Sequence, residues 1–157
     1  MGNATPVADL AIHLGAERDA LRAFVALLET EQQALVDGHI EQLLELADKK
    51  TQSAHELNRL ENVRKDKLRA HGVAANKMEG WLRSHARDSL QTWQDVLRLA
   101  GQAQQINRSN GVLIQSRMRH NQQALTVLHN AVSAAHGLYG PDGQPRGPSS
   151  GRSLGSG

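Results

Sequence analysis

The stretch Ser84–Ala135, SHARDSLQTWQDVLRLAGQAQQINRSNGVLIQSRMRHNQQALTVLHNAVSAA, decides the fold. No proline interrupts it. Steps of three and four from Leu90 reach Trp93, Leu97, Ala100, Gln104, Asn107, Gly111, Ile114, Met118, Asn121, Leu125, Leu128 and Val132. That is the seam of a bundle or coiled-coil helix. At about 1.5 Å rise per residue, one unbroken helix here would extend roughly 75 Å. The seam is apolar at both ends and soft at Gln104, Asn107 and Gly111. Gly101 and Gly111 are the expected weak points, each costing about 1 kcal/mol relative to alanine.

Two shorter helices precede it. Thr5-Pro6 is a helix start, because threonine caps and proline suits the first helical position. Val7, Leu10, Leu14, Leu21, Phe24, Leu28 and Leu35 then follow three-four spacing, with Glu17 and Glu31 as polar members of the same seam. The spacing predicts a helix from Pro6 to about Val36, stopped by Asp37-Gly38. A second helix is expected from about His39 to His71, on the seam Ile40, Leu43, Leu44, Ala47, Ala54, Leu57, Leu60 and Leu68. Glu41, Glu45, Lys49 and Lys50 are assigned to its outer face. Two helices of nearly equal length with a short joint make an antiparallel hairpin. Gly72 ends the second helix. Asn76-x-x-Glu79 offers a weak capping box for a short helix that sets Met78, Trp81 and Leu82 as a lid over the bundle's open end. The long helix outruns its partners by roughly 20 residues at about 1.5 Å each, so it must overhang, bend or fold back.

The fold class expected is therefore all-α: a helical hairpin plus one long C-terminal helix, a three- or four-helix bundle over residues 1–138. From Tyr139 to Gly157 the chain reads YGPDGQPRGPSSGRSLGSG, in which 13 of 19 residues are Gly, Pro or Ser. Such a composition predicts a flexible tail.

Composition narrows the classes further. Hydrophobic content is 39% with only 3% aromatic, so the core must be built from Leu, Ala and Val. There is no cysteine, which excludes disulfides and thiolate metal sites. The first residues lack a basic region and a long apolar run, so no secretory signal is expected, and no window of about 18 apolar residues predicts a membrane span. Residues 1–37 carry net −4 and residues 72–138 net +4. The reading preferred is that the acidic first helix and the basic last helix lie side by side and neutralise one another. Nucleic-acid binding is disfavoured, since the arginines are spread thin and lack an aromatic platform.

No catalytic motif is present: no phosphate-binding glycine loop, no dinucleotide fingerprint and no nucleophile elbow. No glutamate has a histidine three positions later, so the di-iron bundle pattern is missing. His129 and His136 share a face, but a metal there would need further ligands. No enzyme activity, cofactor or metal is expected. The informative oddity is that no acidic residue occurs between Asp95 and Asp142, where the polar positions are mostly Gln and Asn and where Ile106, Leu113 and Val127 fall off the main seam. An irregular bundle helix is one reading. The other is a two-sided helix, one side for the domain and one for a partner, because uncharged polar side chains are cheaper to bury than charges.

Three groups of residues then suggest a family. They are Leu27-Leu28-x-x-Glu31-x-x-Ala34-Leu35 with Asp37, Leu43, Leu44, Ala47, Lys50, Leu57, Leu60, Glu61 and Arg64; Asn107-x-x-Asn110-Gly111-x-Leu113-Ile114; and Leu138-Tyr139-Gly140-Pro141-Asp142-Gly143. In this order, over about residues 10–143, the chain resembles the FlgN family of flagellar export chaperones. The resemblance implies a cytoplasmic, non-enzymatic chaperone whose clients are the hook–filament junction, or hook-associated, proteins, bound through their terminal helices. It places client binding largely on the C-terminal helix, with Ile106, Asn107, Asn110, Gly111, Leu113, Ile114, Met118, Leu125, Leu128 and Val132 as the expected contacts. It further implies a visit to the export gate of the flagellar secretion apparatus, for which Tyr139, the single tyrosine, is the expected contact. The competing expectation is a generic coiled-coil scaffold or self-associating bundle without a specific client. A homodimer is compatible with either, and neither calls for nucleic acid or membrane insertion.

Overall fold

A computed structural model of the chain describes residues 5–119 and 122–136. Helix α1 spans Pro6–Asp37, α2 Ile40–Ala70, α3 Met78–His85, α4 Arg87–Met118 and α5 Gln122–His136, with a 3-10 turn Ala75–Lys77 ahead of α3. No strand occurs among the described residues. The tail from Tyr139 lies outside them.

The expected starts and stops operate in α1. The Thr5 hydroxyl accepts a hydrogen bond from the Ala8 N–H at 3.3 Å, and Pro6 occupies the first turn. Gly38 ends the helix at φ 76°, where its N–H bonds back to the Ala34 carbonyl. Gly72 closes α2 at φ 68°. The Asn76 capping box does not form. Asn76 sits in the 3-10 turn, and the residue before α3 is Lys77, which makes no side-chain cap. The lid itself is present: Met78 and Leu82 are fully buried under the bundle end, with Trp81 half-buried beside them.

Helices α1 and α2 are antiparallel. Glu17 faces Arg64 near one end of the pair and Glu31 faces Lys50 near the other. Helix α4 then runs parallel to α1: Asn110 reaches the Leu28 carbonyl and Arg117 the Leu35 carbonyl, both 82 residues on. Helix α1 thus lies between α2 and α4, and α5 returns between α2 and α4 on the opposite side. A larger core at the lid end joins Leu14, Leu21, Phe24, Leu57, Leu82, Trp93 and Leu99. A smaller one at the other end joins Leu35, Leu43, Leu46, Ala47, Ile114, Leu128 and Val132.

Two expectations about the long helix change. The stretch from Ser84 is not one helix. It bends at Ala86, between α3 and α4, and stops again after Met118, so neither Gly101 nor Gly111 is the break. Both glycines stay helical. The reason is length. Helices α1 and α4 both have 32 residues and run in register, so α4 ends where its partner ends. Beyond that point the Leu128 stripe has nothing to cover it unless the chain turns back. The seam also drifts. Val96, Leu99, Ala103 and Asn110 face inward with Trp93, Asn107 and Ile114, while Leu97 is 44% exposed. A helix of about 3.6 residues per turn does not keep a strict three-four step over this length.

Folding back buries Leu128 completely. Burying a leucine contributes about 1.5–3 kcal/mol. Leu128→Ala is expected to lose about 2–5 kcal/mol in the α5 contact. Because Trp81 and Trp93 both belong to the lid-end core, denaturant unfolding of this variant should lose helical circular dichroism before tryptophan fluorescence responds. Stability equal to wild type would contradict the docking of α5.

Candidate interaction surface

The acid-free half of α4 is held by a buried polar network. Lys50 and Glu31, expected outside and on the seam respectively, are both fully inside, with Lys50 Nζ 3.0 Å from Glu31 Oε1. Asn110 Nδ2 donates to the same oxygen at 2.8 Å and to the Leu28 carbonyl at 2.9 Å. One carboxylate therefore ties α1 to α2 and α4. Burial holds the Lys50 ammonium below the ordinary lysine range, and the Glu31 carboxylate pulls it back up. The outer-face assignment of Lys50 fails for this reason: on a helix facing two neighbours, a lysine opposite a seam glutamate is drawn inward as its partner. A turn higher, Arg117 donates to the Leu35 and Val36 carbonyls at 3.0 and 3.3 Å, satisfying the last carbonyls of α1. Its guanidinium stands 3.1 Å from where a Gly38 Cβ would lie, so a side chain there would crowd Arg117 in addition to straining a backbone at φ 76°.

A second network sits toward the lid. Arg64 donates to Glu17 at 2.9 Å and lies over the Trp93 ring, 4.6 Å from its centre. Glu61 is fully buried beside it, and neither carboxylate oxygen accepts a hydrogen bond among the described residues. The nearest cations are Lys65 at 3.6 Å and Arg64 at 3.7 Å. Burial pushes the Glu61 carboxyl up, against the attraction of Lys65 and Arg64 and with repulsion from Glu17. Asp9, Glu17 and Glu31 of α1 thus pair with Lys67, Arg64 and Lys50 of α2. The expected neutralisation of α1 by the basic last helix is not how these charges are satisfied.

The expected contact residues divide by depth. Asn107, Asn110, Ile114, Leu128 and Val132 are buried and hold the bundle together. Ile106, Gly111, Leu113 and Met118 are half-buried along α4, with Ile106 against the larger core and Leu113 and Met118 against the smaller. Leu125 belongs to α5, and its side chain is not among those described. Tyr139 lies outside the described residues. Two open grooves flank the exposed ridge of α4. One is lined by Leu35, Val36, Leu113, Ser116 and Arg117. The other is lined by Arg108, Gly111, Val112 and Gln115 of α4 and His129, Val132 and Ser133 of α5. Val36 and Val112 are 59% and 69% exposed. Val112 and Arg108 escaped the sequence reading because they lie off the seam, and only the fold back of α5 makes a groove beside them. Among the described residues no group of three His, Asp or Glu could hold a metal, and no helix is long and apolar enough to cross a membrane.

Two outcomes test the networks. Lys50→Met leaves the Glu31 charge buried without its partner and is expected to lose about 3–5 kcal/mol. Adding Glu31→Gln keeps an acceptor for Asn110 and should restore most of that loss; chemical denaturation of both variants reads the difference, and an additive double variant would contradict the pairing. For Glu61 the folded-state pKa lies above the unfolded one, so the folded chain holds more protons between the two values. Stability therefore falls as pH rises through that window. Glu61→Gln should melt higher than wild type near neutral pH, with the advantage shrinking as pH drops through the carboxylate range. A gap independent of pH would contradict the raised carboxyl of Glu61.

Comparison with known proteins matches this arrangement to one family. The family model described as FlgN protein matches residues 7–147. A protein of Yersinia enterocolitica named flagella synthesis protein FlgN is 30% identical over 149 residues, covering 93% of this chain and 96% of its own length. A protein of the same name from Yersinia enterocolitica serotype O:8 / biotype 1B is 44% identical over 64 residues, 40% of this chain and 42% of its own length. No solved structure matches. With the family model covering nearly all of the bundle, and Glu31, Lys50 and Asn110 of the resembling pattern meeting in one network, the chain belongs to the FlgN family.

Proposed function

We propose that this protein is a cytoplasmic flagellar export chaperone, without catalytic activity, that binds the C-terminal helices of hook-associated junction proteins. It keeps them from assembling early and delivers them to the export gate. The observation that carries the reading is the match to the FlgN family over residues 7–147. A second supports it: beyond Asp95, α4 carries the exposed apolar side chains Leu97 and Val112, and neither that part of α4 nor α5 contains an acidic residue. Amphipathic client helices are recognised helix against helix, through apolar anchors at three-four spacing.

Within the expected set, the half-buried Ile106, Leu113 and Met118 are the side chains a client reaches while the bundle is closed. Gly111 permits close approach beside them. Asn107, Asn110, Ile114, Leu128 and Val132 frame that surface from inside, and Leu125 on α5 is the remaining expected contact. Tyr139 serves at the gate, since a phenol combines a large apolar face with a hydroxyl and has little side-chain entropy to lose.

The test is titration of the purified protein with hook-associated proteins of the same bacterium, intact and lacking their C-terminal helices. Binding is expected only to the intact forms. Leu113→Asp should weaken it by about 1–3 kcal/mol while helicity survives. Tyr139→Ala should keep client affinity and melting temperature but impair motility. Equal affinity for intact and truncated clients would refute the client reading. Self-association with no client preference would favour a generic scaffold, and full motility of Tyr139→Ala would remove the gate contact.

A further inference from the structure

We propose that the outer groove between α4 and α5 docks an amphipathic helix whose polar flank is acidic. The groove has an apolar strip, Val112 with Val132 beneath it, and a basic, hydrogen-bonding margin of Arg108 and His129. Arg108, Val112, Gln115 and Arg119 are all exposed and follow one another by four, three and four residues. They form one stripe along α4, about 16 Å long at 1.5 Å per residue, or three turns. A partner helix of similar length lies along such a stripe with one apolar row on Val112 and charged residues to either side.

Charge complementarity sets the partner's sign. On α2, Lys50, Arg64, Lys65 and Lys67 each lie beside a carboxylate. Arg98 has Asp95 one turn back, and Arg117 is spent on the α1 carbonyls. Arg108 and Arg119 have no acidic partner among the described residues, and from Val96 onward neither α4 nor α5 contains an acid to supply one. Of the acids of α1, Asp9, Glu17 and Glu31 are paired with α2 and Asp19 with Arg18 of its own helix, and among the described residues no ion pair joins α1 to Arg108 or Arg119. Two unpaired guanidinium groups flanking an exposed valine fit a carboxylate-bearing helix. Nucleic acid is the poorer fit, because the stripe centres on an aliphatic side chain and offers no ring on which a base could stack.

The inference rests on the chaperone reading for the source of the helix and adds the chemistry of its bound face. It also places first contact on the exposed stripe rather than on the buried seam.

The probes are two synthetic amphipathic peptides with the same Leu/Ala/Val face, one flanked by Glu and the other by Lys. The intact protein is expected to bind the Glu peptide in preference, and salt raised from about 0.05 to about 0.5 M should weaken binding as the charges are screened. Arg108→Glu with Arg119→Glu should lower affinity for the Glu peptide by about 10-fold or more and raise affinity for the Lys peptide. Arg108→Gln with Arg119→Gln should give a smaller loss without reversal, which keeps the test open if charge reversal frays the end of α4. Val112→Ser should weaken both wild-type binding modes without altering their salt dependence. No binding of the Glu peptide, equal binding of the two peptides, or unchanged binding by both arginine pairs would overturn the proposal. So would displacement of the Glu peptide by a single-stranded oligonucleotide, or sedimentation showing that the stripe instead joins two copies of this chain. Parallel titration with hook-associated proteins separates the two claims. Client binding that survives charge reversal refutes the stripe alone, whereas a Glu-peptide preference with no client binding refutes the chaperone reading alone.

Discussion

The structure depends on one carboxylate. Glu31 of α1 accepts from Lys50 of α2 and from Asn110 of α4, all of them buried. Buried charges are expensive unless paired and hydrogen-bonded, and replacing such a pair by apolar residues is often neutral for stability. What the triad supplies is register. Sliding α4 by one position against α1 would separate Asn110 from both Glu31 and the Leu28 carbonyl, leaving polar groups without partners in the core. The Arg64–Glu17 pair repeats the device toward the lid, with Trp93 of α4 as the third member. Apolar side chains fill the space between these two levels, but Leu, Ala and Val at three-four spacing would tolerate several registers.

Once α1, α2 and α4 are locked, the rest follows from lengths. Helix α4 matches α1 residue for residue and ends where Arg117 caps it. Helix α5, with 15 residues, packs mainly on the smaller core away from the lid, and its Ala135 reaches the larger one. Among its described side chains, those buried are Leu128 and the smaller Ala131, Val132 and Ala135. The bundle therefore has a rigid part made by three long helices with internal charge pairs, and a lighter fourth layer that shapes the surface grooves. The division suits a protein that must hold one face steady while presenting another to a partner.

Much of this was legible in the sequence, and the misses have physical reasons. Most of the α1 seam was readable, including Glu17 and Glu31 though not the buried Val25 and Ala34, because Thr5-Pro6 and Gly38 bracket a single unbroken period. The hairpin and the lid were readable for the same reason: Gly38 and Gly72 mark the turns. Lys50 was misplaced because hydropathy alone sends lysine outward, and only pairing it with Glu31 brings it in. The end of α4 was hidden because no glycine or proline marks Met118–Gln122; the helix stops for want of a partner, which is a tertiary fact. The acid-free run of α4 and α5 was visible in the sequence. Which of its side chains are exposed was not, since Ile114 and Leu128 look as available as Val112 until α5 is folded back.

The central claim is that a fixed scaffold of α1, α2 and α4, locked at Glu31, presents an interaction surface on the far half of α4 and on α5. Amide hydrogen exchange along the whole chain, alone and with a hook-associated protein, tests it most directly. The account predicts the slowest exchange in α1, α2 and α4 around Glu31, Lys50 and Asn110, unchanged by the partner. New protection should appear on α5 and on α4 beyond Arg98. New protection centred on the acidic outer face of α1, or exchange near Glu31 as fast as that of α5, would contradict it.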